Sequence, residues 1–346
     1  MGSHAGATAA GQQQLLAELG VTEEQMGAPV ISSMDTVHVG QTEEGVDVYM
    51  DRVAWEAGHV LLLNRVKMHT DFDGAVESGL LKMLAVGLGK VEGATSFHRH
   101  SLRMGYEAAI RAMGRKLLDT GRILGGIGLV ENDRHALARI AAAPAKDLVS
   151  LECELLAYSR QLHGRLPFGE LDLLIVDEIG KNISGAGMDT KVIGRTVHPD
   201  RELTKPAIHI RRIYVRDLTD ESGGNANGMG FADVIHERVA RKVDFQVTYM
   251  NASTALAYRA ARMPMYFPTD RAAIEFLLHN LGSPSAATVR AARIRNTLAL
   301  DNFLASTAAV AELRSRPEFT ISSDLVPLEF DEDGELLPGG SFAGDD

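Results

Sequence analysis

The run LDLLIVDEIG at residues 171–180 constrains the fold most strongly, because its apolar positions are nearly continuous rather than alternating. A run of this kind is typical of a strand that is buried on both faces of a sheet. Two further runs, VLLL within residues 59–64 and ILGGIGLV at residues 123–130, have the same character. Segments with helical periodicity lie between these runs. The sequence therefore predicts an α/β fold with mainly parallel, Rossmann-like sheets flanked by helices.

The remaining elements follow from periodicity and end signals. Strands are predicted at residues 208–218 (IHIRRIYVRDL) and 243–250 (VDFQVTYM). Helices are predicted at residues 12–19 (with Thr8 as N-cap), 78–88, 103–119, 134–143, 145–163, 231–243 and 288–305.

Two domains are expected from the length of 346 residues. We place a boundary near Gly121, which divides a catalytic and cofactor-binding domain at 1–120 from an α/β domain at 121–330. The acidic, glycine-rich stretch 331–346 is predicted to be a disordered tail. Ligands of parallel sheets bind at the carboxyl ends of the strands, which directs attention to the residues after LLLN and after LIVD.

Composition excludes several classes of partner. The formal net charge of -11 is unfavourable for binding a nucleic-acid backbone or an anionic membrane, since both need a basic face. No apolar run approaches the roughly 20 residues that cross a bilayer. The single cysteine, Cys153, cannot form a disulfide framework and favours a reducing compartment. We therefore expect a cytoplasmic protein that acts on a small molecule, without nucleic-acid or membrane partners.

The segment after LLLN carries most of the residues capable of chemistry. His69 and Asp71 follow directly after a predicted strand, where loop side chains reach a ligand. Gly79 permits a close backbone approach, and Lys82 lies one helical turn beyond Ser78. Each residue also has an ordinary interpretation, as a hydrogen-bonding loop histidine or a solvated helix lysine. The residues alone support a His/Lys/carboxylate site and no named reaction.

Two other patterns are weaker. The pair formed by His98 and His100 would share one face of a strand and suggests a metal site, but zinc usually takes three or four protein ligands. The glycine-rich runs at 125–128, 184–187 and 223–230 match neither a dinucleotide fingerprint nor a P-loop, and each has the composition of a turn.

The block NRVKMHTDFDGAVESGLLKMLAVGLGK resembles a long motif of the lactate racemase family, whose enzymes depend on a nickel pincer nucleotide. MGSHAGAT, LLIVDEIGKNISGAGMD and GGNANGMGFAD also resemble blocks of that family. MGSH alone has the look of a cloning scar, but beside the other blocks it is read as family sequence. The resemblance covers nearly the whole chain, within a branch that carries HTDF.

The resemblance implies a two-domain enzyme with its active site in the interdomain cleft. The implied reaction is racemisation or epimerisation of a 2-hydroxy acid by hydride transfer to the nickel pincer nucleotide, which enzymes of cofactor synthesis must supply. It implies His4 and His69 as acid/base residues, Lys82 as the covalent attachment, Ser78 and Gly79 as cofactor contacts, His98 as nickel ligand, and Asp71, Lys181 and Lys191 as candidate substrate contacts.

Two departures leave alternatives open. Family members carry a segment before the GSH block, with an arginine that holds the substrate carboxylate, so the front part of this domain is expected to be missing. The HTDF loop replaces an aromatic loop of the characterised racemases. One alternative is a cofactor-independent dehydratase or hydrolase that uses His69, Asp71, Asp73 and Glu77; another is a non-catalytic ligand-binding remnant.

Overall fold

A computed structural model of the chain describes residues 8–198, 206–282, 285, 287–321 and 325–337. The chain divides into two compact units, Met1–His163 and Gly164–Asp346. The predicted boundary near Gly121 falls inside the first unit, because the strand Ile123–Glu131 pairs with the strand Val60–Arg65 that precedes it.

The first unit combines a three-stranded sheet, a hairpin and several helices. Its strands are β1 (Thr36–Gln41), β2 (Asp47–Asp51), β3 (Val60–Arg65), β4 (Ile123–Glu131) and β5 (Leu137–Pro144). Its helices are α1 (Ala9–Glu18), α2 (Glu23–Met26), α3 (Arg52–Glu56), α4 (Leu80–Lys82), α5 (Lys90–Met104), α6 (Tyr106–Leu118) and α7 (Leu148–Leu162), with a π-helical turn at Met83–Gly87 and a 3-10 turn at Ala145–Asp147. β1 pairs antiparallel with β2, while β4 lies between a parallel β3 and an antiparallel β5.

The glycine-rich run at 125–128 is the interior of β4 rather than a turn. A Cβ on Gly126 would lie 2.9 Å from the Leu148 side chain, and one on Gly128 would lie 2.4 Å from that of Leu155. Both leucines belong to α7, so the glycines let this helix pack directly on the sheet backbone. This packing fixes α7 against β4, and β4 pairs with β3, the strand that the loop follows.

The second unit contains a six-stranded sheet in the order β11-β10-β6-β7-β8-β9. Its strands are β6 (Glu170–Ile179), β7 (His209–Leu218), β8 (Val234–His236), β9 (Met265–Phe267), β10 (Ala291–Ile294) and β11 (Leu304–Ala305). Its helices are α8 (Thr190–Ile193), α9 (Glu237–Lys242), α10 (Phe245–Thr254), α11 (Asp270–His279) and α12 (Thr307–Val310), with 3-10 turns at Asp220–Ser222, Met229–Phe231 and Tyr258–Ala261. All neighbouring strands are parallel except β10 and β11.

Both faces of this larger sheet are covered, as expected for a parallel sheet. Leu174 and Val176 of β6 belong to one apolar cluster, and their neighbours Leu173 and Ile175 belong to a second cluster on the opposite face. The continuous apolar run that predicted this strand is therefore explained by burial on two sides. The α/β prediction, with parallel-rich sheets flanked by helices, is confirmed.

Several predicted elements are confirmed in type. The helix predicted at 12–19 is α1, and the Thr8 hydroxyl accepts the Gly11 N–H at 3.1 Å as its cap. The helix predicted at 145–163 is α7 with the 3-10 turn before it. The helix predicted at 103–119 is α6. It begins at Tyr106, because Gly105 has a φ of 91° and interrupts the helical conformation.

Three predicted elements are wrong. Residues 134–143 form a turn and β5 rather than a helix, and residues 243–250 lie largely in α10 rather than in a strand. The Asp244 side chain accepts the N–H groups of Gln246 and Val247 and so begins α10 despite the β-branched composition. Residues 288–305 contain β10 and β11 instead of a helix, because pairing with β6 outweighs their helical periodicity.

Two further predictions are corrected in part. Of the helix predicted at 231–243, only α9 is present, since β8 occupies the preceding residues. Part of the tail predicted to be disordered is ordered, because Phe330 pairs with Leu336 in an isolated bridge and Leu336 is buried. Residues 338–346 lie outside the described part of the chain. Among the described residues, no helix is long and apolar enough to span a membrane.

Candidate functional site

The segment after β3 is a closed loop, called the His69 loop here and comprising residues 68–77. The N–H of Lys67 donates to the carbonyl oxygen of Ser78 at 2.8 Å, and the N–H of Ser78 donates back to Lys67 at 3.2 Å. The Asn64 amide also donates to the Gly79 carbonyl oxygen at 2.9 Å. These contacts hold both ends of the loop together at the carboxyl end of β3.

The buried carboxylate of Glu77 organises the His69 loop from inside. It accepts the N–H of His69 at 2.5 Å and the N–H of Gly74 at 3.0 Å. Arg160 of α7 forms an ion pair with it at 2.5 Å and also donates to the Gly74 carbonyl oxygen at 2.5 Å. Glu77 is thus committed to shaping the loop, a role that its position in the sequence did not reveal.

The ring of His69 is oriented by its neighbours. Its Nδ1 accepts the N–H of Asp71 at 3.1 Å, so a neutral His69 carries its proton on Nε2. The ring centroid lies 4.8 Å from that of Phe72 and 6.3 Å from that of Tyr106. Phe72 and Tyr106 themselves stack at 5.1 Å. Phe72 and Tyr106 therefore pack on one side of the imidazole and restrict its orientation.

Lys82 ends α4 and is followed directly by the π-helical turn. The pKa of the Lys82 ammonium is lowered to about 8, chiefly by burial; Asp71 and Glu77 oppose the lowering, and the Lys67 charge adds to it. Within the part of the chain that the structure describes, this ammonium forms no hydrogen bond and no ion pair. An amine in this state is a nucleophile near neutral pH.

His98 lies on α5, where its Nδ1 is buried and has no hydrogen-bond partner among the described residues. Burial lowers the pKa of His98, the Lys82 charge lowers it further, and Asp71 opposes both. These effects show that His98, Lys82 and Asp71 lie within electrostatic reach of one another. A neutral imidazole with an unused nitrogen is a suitable ligand for nickel.

His98 and His100 do not form a joint metal site of the kind that a strand would create. Both lie on α5, where residues two apart point in different directions. The Nδ1 of His100 contacts the Ser96 carbonyl oxygen at 2.9 Å. The prediction of His98 as a ligand therefore does not involve its neighbour.

Ser78 and Gly79 connect the His69 loop to α4. Gly79 packs against the fully buried carboxyl group of Glu152 on α7, which accepts the Leu81 N–H at 2.7 Å. Burial raises the pKa of Glu152 to about 7, against the lowering effect of the backbone donors and Arg111. Sequence analysis missed Glu152, although a glutamate on the otherwise apolar face of a helix was the available signal.

The remaining site candidates lie in the second unit or outside the described residues. Lys181 belongs to the second unit, where its ammonium donates to the Gly185 carbonyl oxygen at 2.5 Å and to Asn251 Oδ1 at 2.9 Å. Lys191 lies on α8, and its N–H donates to the Asp189 cap at 2.8 Å. His4 lies outside the described residues. The predicted roles of these three residues stay predictions.

The second unit has a separate cluster of His236, Asp270 and Glu335, whose potential ligand atoms lie within 4.8 Å of one another. Its carboxylates already have cationic partners. Arg216 binds Asp270 at 2.6 Å, and Arg238 pairs with Glu335. We interpret this cluster as an ion-pair network rather than a metal centre, since a cation there would compete with the guanidinium groups.

No protein-family model and no curated protein sequence matches the chain. Among solved structures, it is similar to the lactate racemase apoprotein from Thermoanaerobacterium thermosaccharolyticum, with 13% identity and a TM-score of 0.43. That match covers 72% of this chain and 61% of the other. A protein from Thermotoga maritima matches with 13% identity and a TM-score of 0.42 over 75% of each chain. At these values the likeness is remote and assigns no residue role.

Proposed function

We propose that this chain is a lactate racemase-like isomerase that racemises or epimerises a 2-hydroxy acid with a nickel pincer nucleotide. The proposal is carried by two groups that have no hydrogen-bond partner among the described residues, the Lys82 amine and the buried His98 Nδ1. The Lys82 charge lowers the pKa of His98, so the two groups lie within electrostatic reach of each other. The motif around them, NRVKMHTDFDGAVESGLLK, supports the same assignment.

The residues present fit the cofactor. Lys82 offers an amine of lowered pKa for covalent attachment, and His98 offers a buried nitrogen that lacks a protein partner. When bound, the nucleotide supplies a hydride acceptor next to a metal ion. Ser78 and Gly79 lie immediately before the turn that carries Lys82, which suits a role in cofactor contact.

His69 is assigned to proton transfer. Because its Nδ1 accepts the Asp71 N–H, the neutral ring presents Nε2–H as a hydrogen-bond donor to a substrate oxygen. To take up the substrate's hydroxyl proton on Nε2, the ring must carry its own proton on Nδ1 and release the Asp71 N–H. Racemisation needs a second group on the opposite side of the reacting carbon, and His4 is the candidate that the sequence motif supplies. Asp71, Lys181 and Lys191 remain candidates for contact with the substrate.

The carboxylate-based alternative loses one of its residues. Glu77 is buried, paired with Arg160 and bonded to two backbone N–H groups, so it is not available as a general base. A dehydratase or hydrolase at this site would have to work with His69 and the aspartates alone. The unused Lys82 amine has no role in that reaction.

The test is to express the chain together with cofactor-synthesis enzymes in the cytoplasm of a host supplied with nickel. We expect bound nickel and a mass increment on the peptide that contains Lys82. Lys82→Met is expected to lose both, whereas His98→Ala is expected to keep the increment and lose most of the nickel. Lys146→Met, at an exposed position, is the matched control.

Two outcomes would contradict the proposal. One is the absence of nickel and of the increment under conditions that load an established racemase in parallel. The other is turnover of a 2-hydroxy acid that persists in Lys82→Met and in the presence of a nickel chelator, which would favour the cofactor-independent alternative.

A further inference from the structure

Glu152 is an acidic residue that is completely buried and lies far from Lys82 in sequence. It belongs to α7, and its Oε2 accepts the Leu81 N–H at 2.7 Å. Leu81 is the middle residue of α4, the short helix that ends at Lys82.

This carboxyl group replaces the cap that α4 lacks. The residue before α4 is Gly79, which has no side chain to accept a hydrogen bond. A Cβ at Gly79 would lie 2.5 Å from the carboxyl carbon of Glu152, so the glycine is what admits the carboxyl group. Glu152 and Gly79 therefore fit each other across the junction between α7 and α4.

Packing alone does not explain a glutamate at position 152. The Oε1 of Glu152 is buried without a hydrogen-bond partner in the described part of the chain. The buried positions beside it on α7 include Leu148, Leu151 and Leu155, so the surroundings suit an apolar side chain. Arg111 of α6 faces the carboxyl group electrostatically, but Arg111 is itself paired with Glu107 at 2.7 Å. Burying a carboxyl oxygen without a hydrogen-bond partner lowers the free energy of unfolding. Glu152 therefore contributes something other than packing at this position.

We propose that Glu152 is a positioning residue for Lys82: by binding the Leu81 N–H and packing against Gly79 it fixes the turn that presents the Lys82 amine. The purpose of that orientation, cofactor attachment, rests on the proposed function. The positioning itself does not require the cofactor and is measurable on the unloaded chain.

The test is the rate at which acetic anhydride acylates Lys82 in the unloaded full chain between pH 6 and pH 10. Peptide mass spectrometry gives the Lys82 rate relative to the exposed Lys146. Glu152→Gln keeps an oxygen acceptor for the Leu81 N–H and is expected to retain the Lys82/Lys146 ratio within about twofold. Glu152→Leu removes the acceptor at similar volume and is expected to change the ratio by about fivefold or more.

The pair of variants separates positioning from general stability. A merely structural role would lower the unfolding midpoint of Glu152→Leu and leave the Lys82/Lys146 ratio of the folded protein unchanged, and that result would overturn the proposal. If Glu152→Leu does not fold, Glu152→Asp withdraws the carboxyl group by one methylene. We then expect a ratio changed by more than twofold, and an unchanged ratio would overturn the proposal. Failure to load nickel would contradict the proposed function without affecting this result.

Discussion

The two units bury ionisable groups in opposite ways. In the second unit, Asp270 is fully buried and accepts hydrogen bonds from Tyr214 at 2.6 Å, from Arg216 at 2.6 and 3.0 Å, and from the Leu336 N–H at 2.8 Å. In the first unit, the Lys82 ammonium and His98 Nδ1 have no such partners among the described residues.

The pKa directions express this difference. Burial alone would raise the pKa of Asp270, but hydrogen bonds from Arg216 and Tyr214 outweigh burial and hold that pKa well below its usual range. For Lys82, burial dominates the opposing carboxylates and favours the neutral amine. A buried group with matched partners stabilises the fold, whereas a buried group without them is available for chemistry.

The largest effect is expected at Asp270. Asp270→Ala leaves the Arg216 guanidinium buried with one fewer carboxylate, so the free energy of unfolding of the second unit should fall by about 3–5 kcal/mol. Hydrogen exchange of peptides from β7 measures it, and Glu275→Ala on the exposed side of the same helix is the control. A loss below about 1 kcal/mol would show that the network does not stabilise the unit.

The same carboxylate gives a defined pH response. Because the folded pKa of Asp270 is lowered, its contribution is fully present above the unfolded pKa of about 3.9 and is lost as the pH falls below it. The slow-exchanging amides of β7 should therefore lose protection in acid, and Asp270→Asn should lack this dependence. Equal acid sensitivity in both proteins would assign the response to other carboxylates.

Glu152 should produce the opposite slope in the first unit. Its pKa rises from 4.5 to about 7 on folding, so the folded state holds the proton that the unfolded state releases between these values. The free energy of unfolding should fall by about 3 kcal/mol as the pH rises through this range. Glu152→Gln should remove most of that slope. Fluorescence of Trp55, the single tryptophan, reports the unfolding of this unit.

A smaller effect is expected from the ion pair inside the His69 loop. Glu77→Gln removes the charge that faces Arg160 and places an amide donor among donors, which should cost about 2 kcal/mol. The Trp55 transition measures the loss, and hydrogen exchange at residues 68–77 should rise with it. Glu92→Gln, at an exposed position of the same unit, is the control. Unchanged exchange in the loop would contradict the organising role of Glu77.

The smallest effect on stability is expected at Lys82 itself. Lys82→Met removes a cation that has no ion pair, so the free energy of unfolding should stay within about 0.5 kcal/mol of wild type or rise. The Trp55 transition tests this directly. A loss above about 1 kcal/mol would reveal a stabilising partner and remove the contrast with Asp270.

Much of the fold was predictable from local sequence. The apolar runs predicted β3, β4 and β6 as strands, periodicity predicted β7, and the Thr8 cap predicted the start of α1. The expectation that the run at 59–64 is buried on both faces was wrong, because Leu61 and Leu63 of β3 are 59% and 60% exposed. The failures at α10 and β10 have a common cause, because both lie where capping or sheet pairing outweighs the local periodicity.

The candidate site was predictable in part. The position of His69 after a strand and the idiosyncratic block around Lys82 directed attention to the segment from which the candidate site is built. The partners that shape this segment come from α7, which begins about 70 residues further along the chain. Arg160 binds Glu77 and Glu152 binds Leu81 across that separation, and no local pattern encodes such contacts.

The sequence by itself determined which apolar runs form strands, which residue types surround the HTDF loop, and that the chain combines helices with parallel-rich sheets. Only the tertiary structure decided which charges are paired. Glu77 and Asp270 are committed to guanidinium groups, while Lys82 and His98 are left with burial as the main influence on their pKa values. The physical reason is that pairing and desolvation depend on packing between distant segments, which residue type and spacing do not specify.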